Sequence, residues 1–422
     1  MSSRPGFKQT EIGEIPEEWV VCRIGESCDV RTGGTPSMNH PEYFGGNIKW
    51  IRSGDIHKKR IFDVEGRITV EGMKNSNAKM LPINSVLIAM NGRGKTRATV
   101  AILKTEATCN QSLAAIIPRS DIHPEYLMYH LENRYNELRN LTGDNDRSGL
   151  NLRIISDLLV AIPELLEQKK IATILSTVDD AIQKTDEIIA KTERLKKGLM
   201  QRLLTRGIGH TKFKQTEIGE IPEEWEVAKL EDRKVSRLLR AGGTPLRTNM
   251  EYYEKGTIPF VRIQDITKNK KYLTDTELRI TELGLKNSST WIVPESSILF
   301  SMYASFGEVV INKVPVATNQ AIIAIVPCVD TDLEYLYYTL KELRGRLYKF
   351  LRETTQKNLN AEIVKNLKIA LPPLPEQKKI ASILSTVDEQ IEKERAKKGQ
   401  LEQLKKGLMQ VLLRGKVRVK VN

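Results

Sequence analysis

The sequence FKQTEIGEIPEEW occurs twice in the chain, at residues 7–19 and at residues 213–225. A second pair, QKKIATILSTVD at 168–179 and QKKIASILSTVD at 377–388, differs at one position, and LKKGLMQ at 195–201 returns unchanged at 404–410. The period of 206 to 209 residues is far longer than the roughly 20 to 50 residues of a solenoid repeat. The repeats therefore predict one large unit and its connector, present twice in the chain.

The connector of each copy has the pattern of a long helix. Apolar residues recur at three- and four-residue steps from Ile171 to Leu199 and from Ile380 to Leu408, and no proline interrupts either run. Each segment of about 40 residues would be roughly 60 Å long as a helix. The apolar stripe is narrow, as in a coiled coil, so we expect the two helices to pair with each other. We expect an antiparallel coiled coil because the chain must run back. The alternative is that each helix packs on its own domain.

The regions between the repeats have the pattern of a mixed sheet. Short apolar runs bounded by Gly, Pro, Asn and Ser predict strands, namely NIKWI, SVLIAM, ATVAIL and SLAAIIP in the first copy and TIPFVRI, SSILFSM, EVVINK and AIIAIVP in the second. PEYLMYHLENRYNELRN and LEYLYYTLKELRGRLYKFL predict helices near the end of each region. The expected fold class is α+β, with two similar globular mixed α/β domains, at 1–166 and 208–375. Two long helices, at 167–207 and 376–422, separate them in a pseudo-two-fold internal repeat.

Composition argues against a membrane-spanning, secreted or metal-binding protein. The chain is 40% hydrophobic, has no apolar run near the ~18 to 20 residues that span a bilayer, and begins without a hydrophobic signal segment. Its four cysteines form no CxxC pair, and none of its five histidines stands at metal-ligand spacing. We therefore expect a cytoplasmic protein that needs no metal or other cofactor and has no membrane partner.

The net charge of +13 favours nucleic acid as a partner. The two connectors, residues 167–207 and 376–422, carry +3 and +6 of that charge, so the two large regions are nearly neutral. A DNA-binding surface on the large regions must therefore come from local clusters of basic residues.

The sequence contains fragments of catalytic motifs but none that is complete. GRGKT at 92–96 resembles the end of a phosphate-binding loop, but Ala89 stands where that loop requires glycine. The Glu-x-Lys at 167–169 and 376–378 could be half of a nuclease metal site, but each opens a predicted helix and lacks converging carboxylates. No glycine-rich methyl-donor loop is present. The chain is expected not to be an enzyme.

The repeated motifs resemble those of a known family. F-K-x-T-E-I-G-x-I-P-x-x-W opens each region, while E-Q-x-x-I-A-x-I-L and L-K-K-G-L-M close it. Over the whole chain this pattern is similar to the DNA-specificity (S) subunit of type I restriction-modification systems.

The resemblance implies a function and partners. Each of two target recognition domains would read one half of a split site in double-stranded DNA. The long helices would act as a spacer and dock two methyltransferase (modification) subunits, and restriction (translocase and endonuclease) subunits would join them. Methyl donor and ATP would bind those partners. On this basis we attribute the repeated sequence to a shared partner, because duplicated surfaces fit two copies of one protein, and the unrepeated sequence to DNA.

Candidate DNA contacts are the basic and amide side chains in local clusters, since such groups read base edges and grip phosphates. In the first copy these are Arg52, Lys58, Lys59, Arg60, Arg93, Lys95, Arg97 and Arg147. In the second copy they are Arg262, Gln264, Lys268, Lys270, Lys271, Tyr303, Ser305 and Lys357. Taken singly, each could instead lie in a solvated turn.

Two other functions remain open from the sequence. A coiled-coil adaptor would use its globular regions to bind proteins, and it would lack salt-dependent affinity for duplex DNA. A stand-alone nuclease would cut DNA by itself in the presence of metal.

Overall fold

The structure is a computed structural model that describes residues 5–92, 94–141, 149–303, 306–353 and 359–419, with backbone alone at residue 346 and at residues 348–353. The chain forms two compact units, one of residues 1–186 and 396–422 and one of residues 187–395. None of the described helices has the length and apolarity that a membrane crossing requires.

The first unit combines short strands with mostly short helices. Its described strands are β1 (Phe7–Thr10), β2 (Gly13–Pro16), β3 (Val20–Arg23), β4 (Cys28–Thr32), β5 (Phe44–Ile51), β6 (Arg60–Ile61), β7 (Arg67–Ile68), β8 (Val86–Ala89), β9 (Val100–Leu103), β10 (Thr108–Cys109), β11 (Leu113–Pro118) and β12 (Leu159–Ile162). Its helices are α1 (Ile24–Ser27), α2 (Val70–Lys74), α3 (Pro124–Asn133), α4 (Tyr135–Asn140), α5 (Leu152–Asp157) and the start of α6 (Leu165–Arg206), with 3-10 turns at Pro41–Tyr43 and Ser53–Lys58.

A five-stranded mixed sheet, in the order β4-β11-β8-β9-β6, forms the centre of this unit. Its neighbours pair antiparallel except β6 and β9, which are parallel. Side chains alternate between two cores: Ile88 faces the core that contains the helices, and Leu87 faces the core on the other side. Both faces are covered, which is why the central strands are apolar throughout.

The second unit repeats this architecture. Its described strands are β13 (Phe213–Thr216), β14 (Gly219–Pro222), β15 (Glu226–Lys229), β16 (Ser236–Ala241), β17 (Ile258–Val261), β18 (Tyr272–Leu273), β19 (Arg279–Ile280), β20 (Ile298–Ser301), β21 (Val309–Asn312), β22 (Ala317–Thr318), β23 (Ile322–Pro327) and β24 (Lys368–Leu371). Its helices are α7 (Ile263–Lys268), α8 (Glu282–Lys286), α9 (Leu333–Glu353), α10 (Ala361–Lys365) and the start of α11 (Leu374–Leu412), with a 3-10 turn at Met250–Tyr252.

The order of strands in the second sheet, β16-β23-β20-β21-β18, matches the first strand for strand. The smaller sheets, β10-β5-β7 and β19-β17-β22, also correspond. The predicted mixed α/β domains and their internal repeat are confirmed.

The two long helices have the predicted lengths, with 42 residues in α6 and 39 in α11. In the first unit, the start of α6 and the end of α11 lie in one core, which includes Leu175 and Leu412. In the second unit, the start of α11 and the end of α6 lie in one core, which includes Leu384 and Leu203. Each helix therefore packs on a globular unit as well as against the other helix.

Ion pairs establish the direction of the helix pair within each unit. In the first unit Lys405 Nζ lies 2.9 Å from Asp179 Oδ1, and Lys398 Nζ lies 2.6 Å from Asp186 Oδ1. A step of seven residues forward on α6 is a step of seven residues back on α11, so the segments are antiparallel. In the second unit Arg395 pairs with Glu193 at 2.6 Å.

Candidate nucleic-acid interface

Each repeated FKQTEIGEIPEEW segment, which we call a strap, forms a β-hairpin that is bonded to a long helix. In the first strap, Trp19 is 1% exposed, and its indole Nε1 donates to Glu167 Oε2 of α6 at 3.2 Å. Arg418 donates to both oxygens of the same carboxylate, at 2.9 and 3.0 Å. The carboxylate is buried, and these donors offset the cost of removing it from water.

The second strap makes the same contact. Trp225 Nε1 donates to Glu376 Oε2 at 2.9 Å, and His210 Nε2 lies 2.9 Å from Glu376 Oε1. The repeated Trp and Glu residues therefore bind each other within the chain. This corrects the attribution of the repeated sequence to a partner alone. Glutamates on the outer side of each strap remain exposed.

A glycine at the end of each long helix makes room for the strap. Gly207 and Gly415 both have φ of +64°, a conformation that glycine adopts readily. A Cβ atom at Gly207 would lie 2.6 Å from Trp225 Cζ2, and one at Gly415 would lie 2.3 Å from Pro16 Cγ. Any larger residue would push the strap away.

The glutamine that follows Glu167 or Glu376 joins the start of a short helix to the long helix. Gln168 accepts from His123 N at 2.7 Å and donates to Asp121 O at 2.9 Å. Gln377 likewise accepts from Asp332 N at 2.8 Å and donates to Asp330 O at 3.2 Å. These residues lie just before or at the start of α3 and α9, so the glutamines fix where those helices begin.

These contacts give the glutamate of each Glu-x-Lys motif a structural role. Within the described ranges, no group of three or more His, Cys, Asp or Glu side chains is arranged to hold a metal ion.

A cluster of charged groups joins α3 to both long helices in the first unit. Tyr129 Oη donates to Asp179 Oδ2 at 2.6 Å. The same carboxylate lies 2.5 Å from Lys59 Nζ and 2.9 Å from Lys405 Nζ. Glu132 balances the second positive charge, at 2.9 Å from Lys59 and 2.7 Å from Lys405.

The second unit has the corresponding cluster. Tyr338 Oη donates to Asp388 Oδ2 at 2.7 Å, and Lys196 pairs with the same carboxylate. Lys271 Nζ takes the place of Lys59, at 2.9 Å from Glu334 and 4.7 Å from the centre of the Tyr338 ring. The two clusters share the Tyr–Asp bond and the lysine of the opposite long helix, but Lys271 pairs with Glu334 where Lys59 pairs with Asp179 and Glu132.

Burial and charge act in opposite directions on Asp179. Burial by itself would raise the pKa of this carboxyl group, but the adjacent Lys59 and Lys405 ammonium groups outweigh burial and hold the pKa below its ordinary value. Asp179 is therefore ionised at neutral pH, and it neutralises two lysines that would otherwise repel each other.

One set of predicted DNA contacts lies in a turn that the two units share. Arg52 N donates to Asp55 Oδ2 at 3.0 Å, and Arg262 N donates to Asp265 Oδ2 at 2.8 Å, so each arginine opens a short helical segment. The side chains of Arg52, Lys58, Gln264 and Lys268 are exposed on these turns.

The partners of these turn residues are weak or exposed. Lys58 Nζ donates to Asp63 O at 3.0 Å, and Lys268 Nζ lies 2.8 Å from the exposed Glu277. Arg262 Nη2 is 3.4 Å from the same Glu277. Exposed pairs of this kind contribute little to stability, so these cations can exchange a carboxylate for a phosphate at low cost.

A second predicted cluster, the loop at 91–97, is bonded to α4 and to the turn. Lys95 is exposed, its carbonyl accepts from Tyr135 Oη at 2.9 Å, and Gly94 O accepts from Arg139 Nη1 at 2.6 Å. His57 Nε2 lies 3.2 Å from Thr96 Oγ1, which brings the two clusters of the first unit together.

Other predicted contacts face the interior. Arg97 is 8% exposed, and its Nη2 donates to Arg139 O at 3.4 Å. Arg60 Nη2 donates to Tyr129 Oη at 3.1 Å. Together with Lys59 and Lys271, these residues hold the sheet to the helices. Lys270 pairs with Glu392, Tyr303 is 37% exposed, and Arg93, Arg147, Ser305 and Lys357 lie outside the described residues.

Comparison with known proteins settles the family. A family model described as the type I restriction modification DNA specificity domain matches residues 16–194 and matches again at residues 222–403. The chain belongs to the type I restriction-modification DNA specificity family. The two matches also confirm the duplication that the repeated motifs predicted.

Relatives in this family match over nearly their full length. Two Methanocaldococcus jannaschii proteins bear the names of the MjaX and MjaIX type I restriction enzyme specificity subunits. They are 30% and 28% identical to this chain. Each match covers 98% of this chain, and the matches cover 97% and 96% of the two relatives, respectively. A solved S subunit of a type I restriction-modification system, from M. genitalium, is 14% identical to this chain, with a TM-score of 0.59 over 99% of this chain and 100% of its own. A chain from a study of complex assembly in the type I R-M system has a TM-score of 0.60 at 18% identity. These structures support the fold.

Sequence reasoning missed the residues that hold this specificity-family fold together. Tyr129 and Tyr338 occupy matching positions in PEYLMY and LEYLYY, and Asp179 and Asp388 close the repeated STVD. Their identity between copies was the available signal. What they contact could not be read from the sequence, because each tyrosine is 50 residues from its aspartate.

Proposed function

We propose that this chain is the non-catalytic DNA-recognition subunit of a type I restriction-modification enzyme, and that each unit reads one half of a bipartite DNA site. One observation supports this above all others. Residues that fix each sheet to the helices recur in both copies, while the exposed basic turns differ, with SGDIHKK following Arg52 and IQDITKNKK following Arg262. Two such surfaces on one scaffold suit two different DNA sequences.

The proposed recognition domains are residues 1–166 and 208–375. Arg52, Lys58 and Lys95 contact the first half-site, and Arg262, Gln264, Lys268, Lys270 and Tyr303 contact the second. Arg93, Arg147, Ser305 and Lys357 are proposed as contacts on their sequence alone. Lys59, Arg60, Arg97 and Lys271, first chosen as direct contacts, are proposed instead to hold the surface in place, because carboxylates, hydroxyls and carbonyls of the same unit occupy them.

The partners follow from the repeat. Residues 167–207 and 376–422 are proposed to set the gap between half-sites and to dock two methyltransferase subunits, to which restriction subunits are added. The repeated exposed acids of the straps, such as Glu14 and Glu220, offer each methyltransferase the same surface. Methyl donor and ATP belong to those partners.

The competing function is a coiled-coil adaptor whose globular units bind proteins. The test is salt-dependent binding to duplex DNA that carries the modified motif, with the methyltransferase present. We expect Lys58→Ala and Lys268→Ala each to reduce the salt slope of binding by about one, as loss of one phosphate contact should. Lys365→Ala serves as the control, since it removes a lysine at the end of α10 that belongs to neither basic turn. Affinity and salt slope equal to wild type in both turn variants would remove these turns from the interface.

A further inference from the structure

Two further motifs recur in both units and meet in the structure. GGTP occurs at 33–36 and at 242–245, and the dipeptide NQ occurs at 110–111 and at 319–320. Thr35 Oγ1 donates to Gln111 Oε1 at 2.5 Å, and Thr244 Oγ1 donates to Gln320 Oε1. We call each of these two contacts a Thr–Gln pair.

Close packing of the backbone brings each GGTP segment to its partner. Gly34 N donates to Cys109 O at 2.9 Å, and Gly243 N donates to Thr318 O at 3.0 Å. A Cβ atom at Gly33 would lie 1.8 Å from Cys109 O, so only glycine allows this approach.

The glutamines are not needed to close the turns that carry them. Asn110 Oδ1 accepts from Ser112 N at 3.2 Å, and Asn319 Oδ1 accepts from Ala321 N at 3.1 Å, so the preceding asparagine closes each turn. Both glutamines are exposed, and no described residue accepts from the Nε2 of either one. Each threonine therefore orders an exposed side chain, which costs conformational entropy, and leaves its N–H groups to an acceptor outside the chain.

Gln111 lies between two proposed DNA contacts of the first unit. The backbone of its turn is bonded at 3.0 Å to Ile51, which precedes Arg52. It is also bonded at 2.9 Å to Met90, which precedes the loop at 91–97. The glutamine therefore belongs to the surface that the two basic clusters form.

Gln320 has the same position in the second unit. The backbone of its turn is bonded at 3.3 Å to Val261, which precedes Arg262, and at 2.8 Å to Met302, which precedes Tyr303. The position of the glutamine is thus repeated although the contacts on both sides of it differ.

The carboxylates of the flanking turns already have partners. Asp55 and Asp265 each accept from the backbone N–H of the arginine that opens the turn. Glu277 pairs with Arg262 and Lys268 at the surface, where a phosphate can replace it at low cost. These carboxylates therefore leave the glutamine amides to another acceptor.

The acceptor must be common to both half-sites, because the Thr–Gln pairs are identical in the two units while the basic turns differ. Base edges change from one half-site to the other, but the sugar-phosphate backbone does not, and glutamine side chains are among the groups that bond to phosphate oxygens.

We propose that Gln111 and Gln320 each donate an N–H to a phosphate oxygen in their own half-site, a contact that rests on the recognition function proposed above. Thr35 and Thr244 are positioning residues that orient these amides. The contact sets each half-site in register against its variable turn and carries no base preference.

The test measures binding of the full chain, with its methyltransferase, to duplexes that carry the modified motif. One phosphate at a time is replaced by an uncharged methylphosphonate. Gln111→Met should bind the all-phosphate duplex about tenfold more weakly than wild type. At one position in one half-site, the methylphosphonate should weaken wild type but not this variant. Gln320→Met should show the same loss in the other half-site, so each variant is the control for the other.

Two further measurements separate this contact from those of the lysines and from a purely structural role. The salt slope should stay at the wild-type value in Gln111→Met, because an uncharged amide releases no counterion, whereas Lys58→Ala lowers it. Thr35→Val should weaken binding less than Gln111→Met does, and the double variant should be no weaker than Gln111→Met alone.

Wild type without salt-dependent affinity for DNA would refute the proposed function, and this contact with it. With DNA binding intact, three results would each overturn the contact alone. They are affinity equal to wild type in both glutamine variants, a methylated motif with changed bases, and a loss that appears in binding to the methyltransferase without DNA.

Discussion

Tyr129 donates a 2.6 Å hydrogen bond to Asp179, and this bond joins the middle of α3 to the first half of α6. The second unit repeats it between Tyr338 and Asp388 at 2.7 Å. Because the bond is partly buried and is surrounded by lysines, it fixes how the sheet lies on the helix pair in each unit. The basic turns are then free to vary without disturbing the scaffold.

The strap contact can be tested by removing one N–H group. Trp19→Phe leaves the buried Glu167 carboxylate with one donor fewer, and Trp225→Phe does the same to the partly buried Glu376. We expect each to lower the free energy of unfolding by about 1 to 3 kcal/mol. The measurement is a urea titration. Trp291→Phe is the matched control, since its Nε1 is buried without a hydrogen-bond partner among the described residues. An equal loss in all three variants would mean that only ring size matters.

Asp179 should contribute more to the free energy of unfolding than an exposed carboxylate on the same helix. Asp179→Asn leaves Lys59 and Lys405 with Glu132 as their remaining counter-charge, and breaking a buried pair costs about 3 to 5 kcal/mol. Asp186→Asn removes the partner of Lys398 at the surface, where the cost is about 1 kcal/mol or less. The comparison uses free energies of unfolding at neutral pH. Similar losses in the two variants would contradict a structural role for the cluster.

The same carboxylate gives a prediction for pH. The folded pKa of Asp179 lies below its ordinary value of 3.8, so its stabilisation is complete above about pH 4 and is lost as the pH falls through the folded pKa. We therefore expect the stability difference between wild type and Asp179→Asn to be constant from neutral pH to about pH 5. It should then shrink below pH 4. A difference that stays the same down to pH 2 would show that Asp179 is not the titrating group.

Much of this architecture could be predicted from the sequence. Uninterrupted periodicity from Ile171 to Leu199 specified a long helix, and short apolar runs such as SVLIAM specified central strands, because both signals are local. The roles of single charged residues could not be predicted in this way. Lys58 and Lys59 are neighbours of the same type, yet the first is exposed and the second pairs with Asp179, which is 120 positions further along the chain.

The distant partners of the straps could not be predicted from the sequence either. Glu167 takes its donors from Trp19 and from Arg418, which lies 251 residues away. Only the folded chain shows that the end of α11 completes the first unit. The repeated Trp and Glu were visible in the sequence, but the reason for their repetition was not.

Two glycines within the long helices bear on the proposed partners. Gly198 and Gly407 are exposed, and a Cβ atom at either would meet nothing within 4 Å. Alanine at each site should stabilise the isolated chain by about 0.5 to 1 kcal/mol, because glycine is unfavourable in a helix. We expect the same variants to weaken binding of the methyltransferase subunits, since both copies keep a glycine that the chain itself does not need. Stabilised variants that bind the methyltransferase as tightly as wild type would show that these glycines do not serve the partner.

The most direct test is methylome sequencing of cells that express this chain with its methyltransferase, in parallel with a chimera in which residues 208–375 come from the MjaIX relative. We expect the wild-type methylome to show one motif with two specific halves and an unspecific gap. The chimera should keep one half and the gap while the other half changes. A single uninterrupted motif, or a chimera that alters both halves together, would contradict separate reading of the two half-sites by the two units.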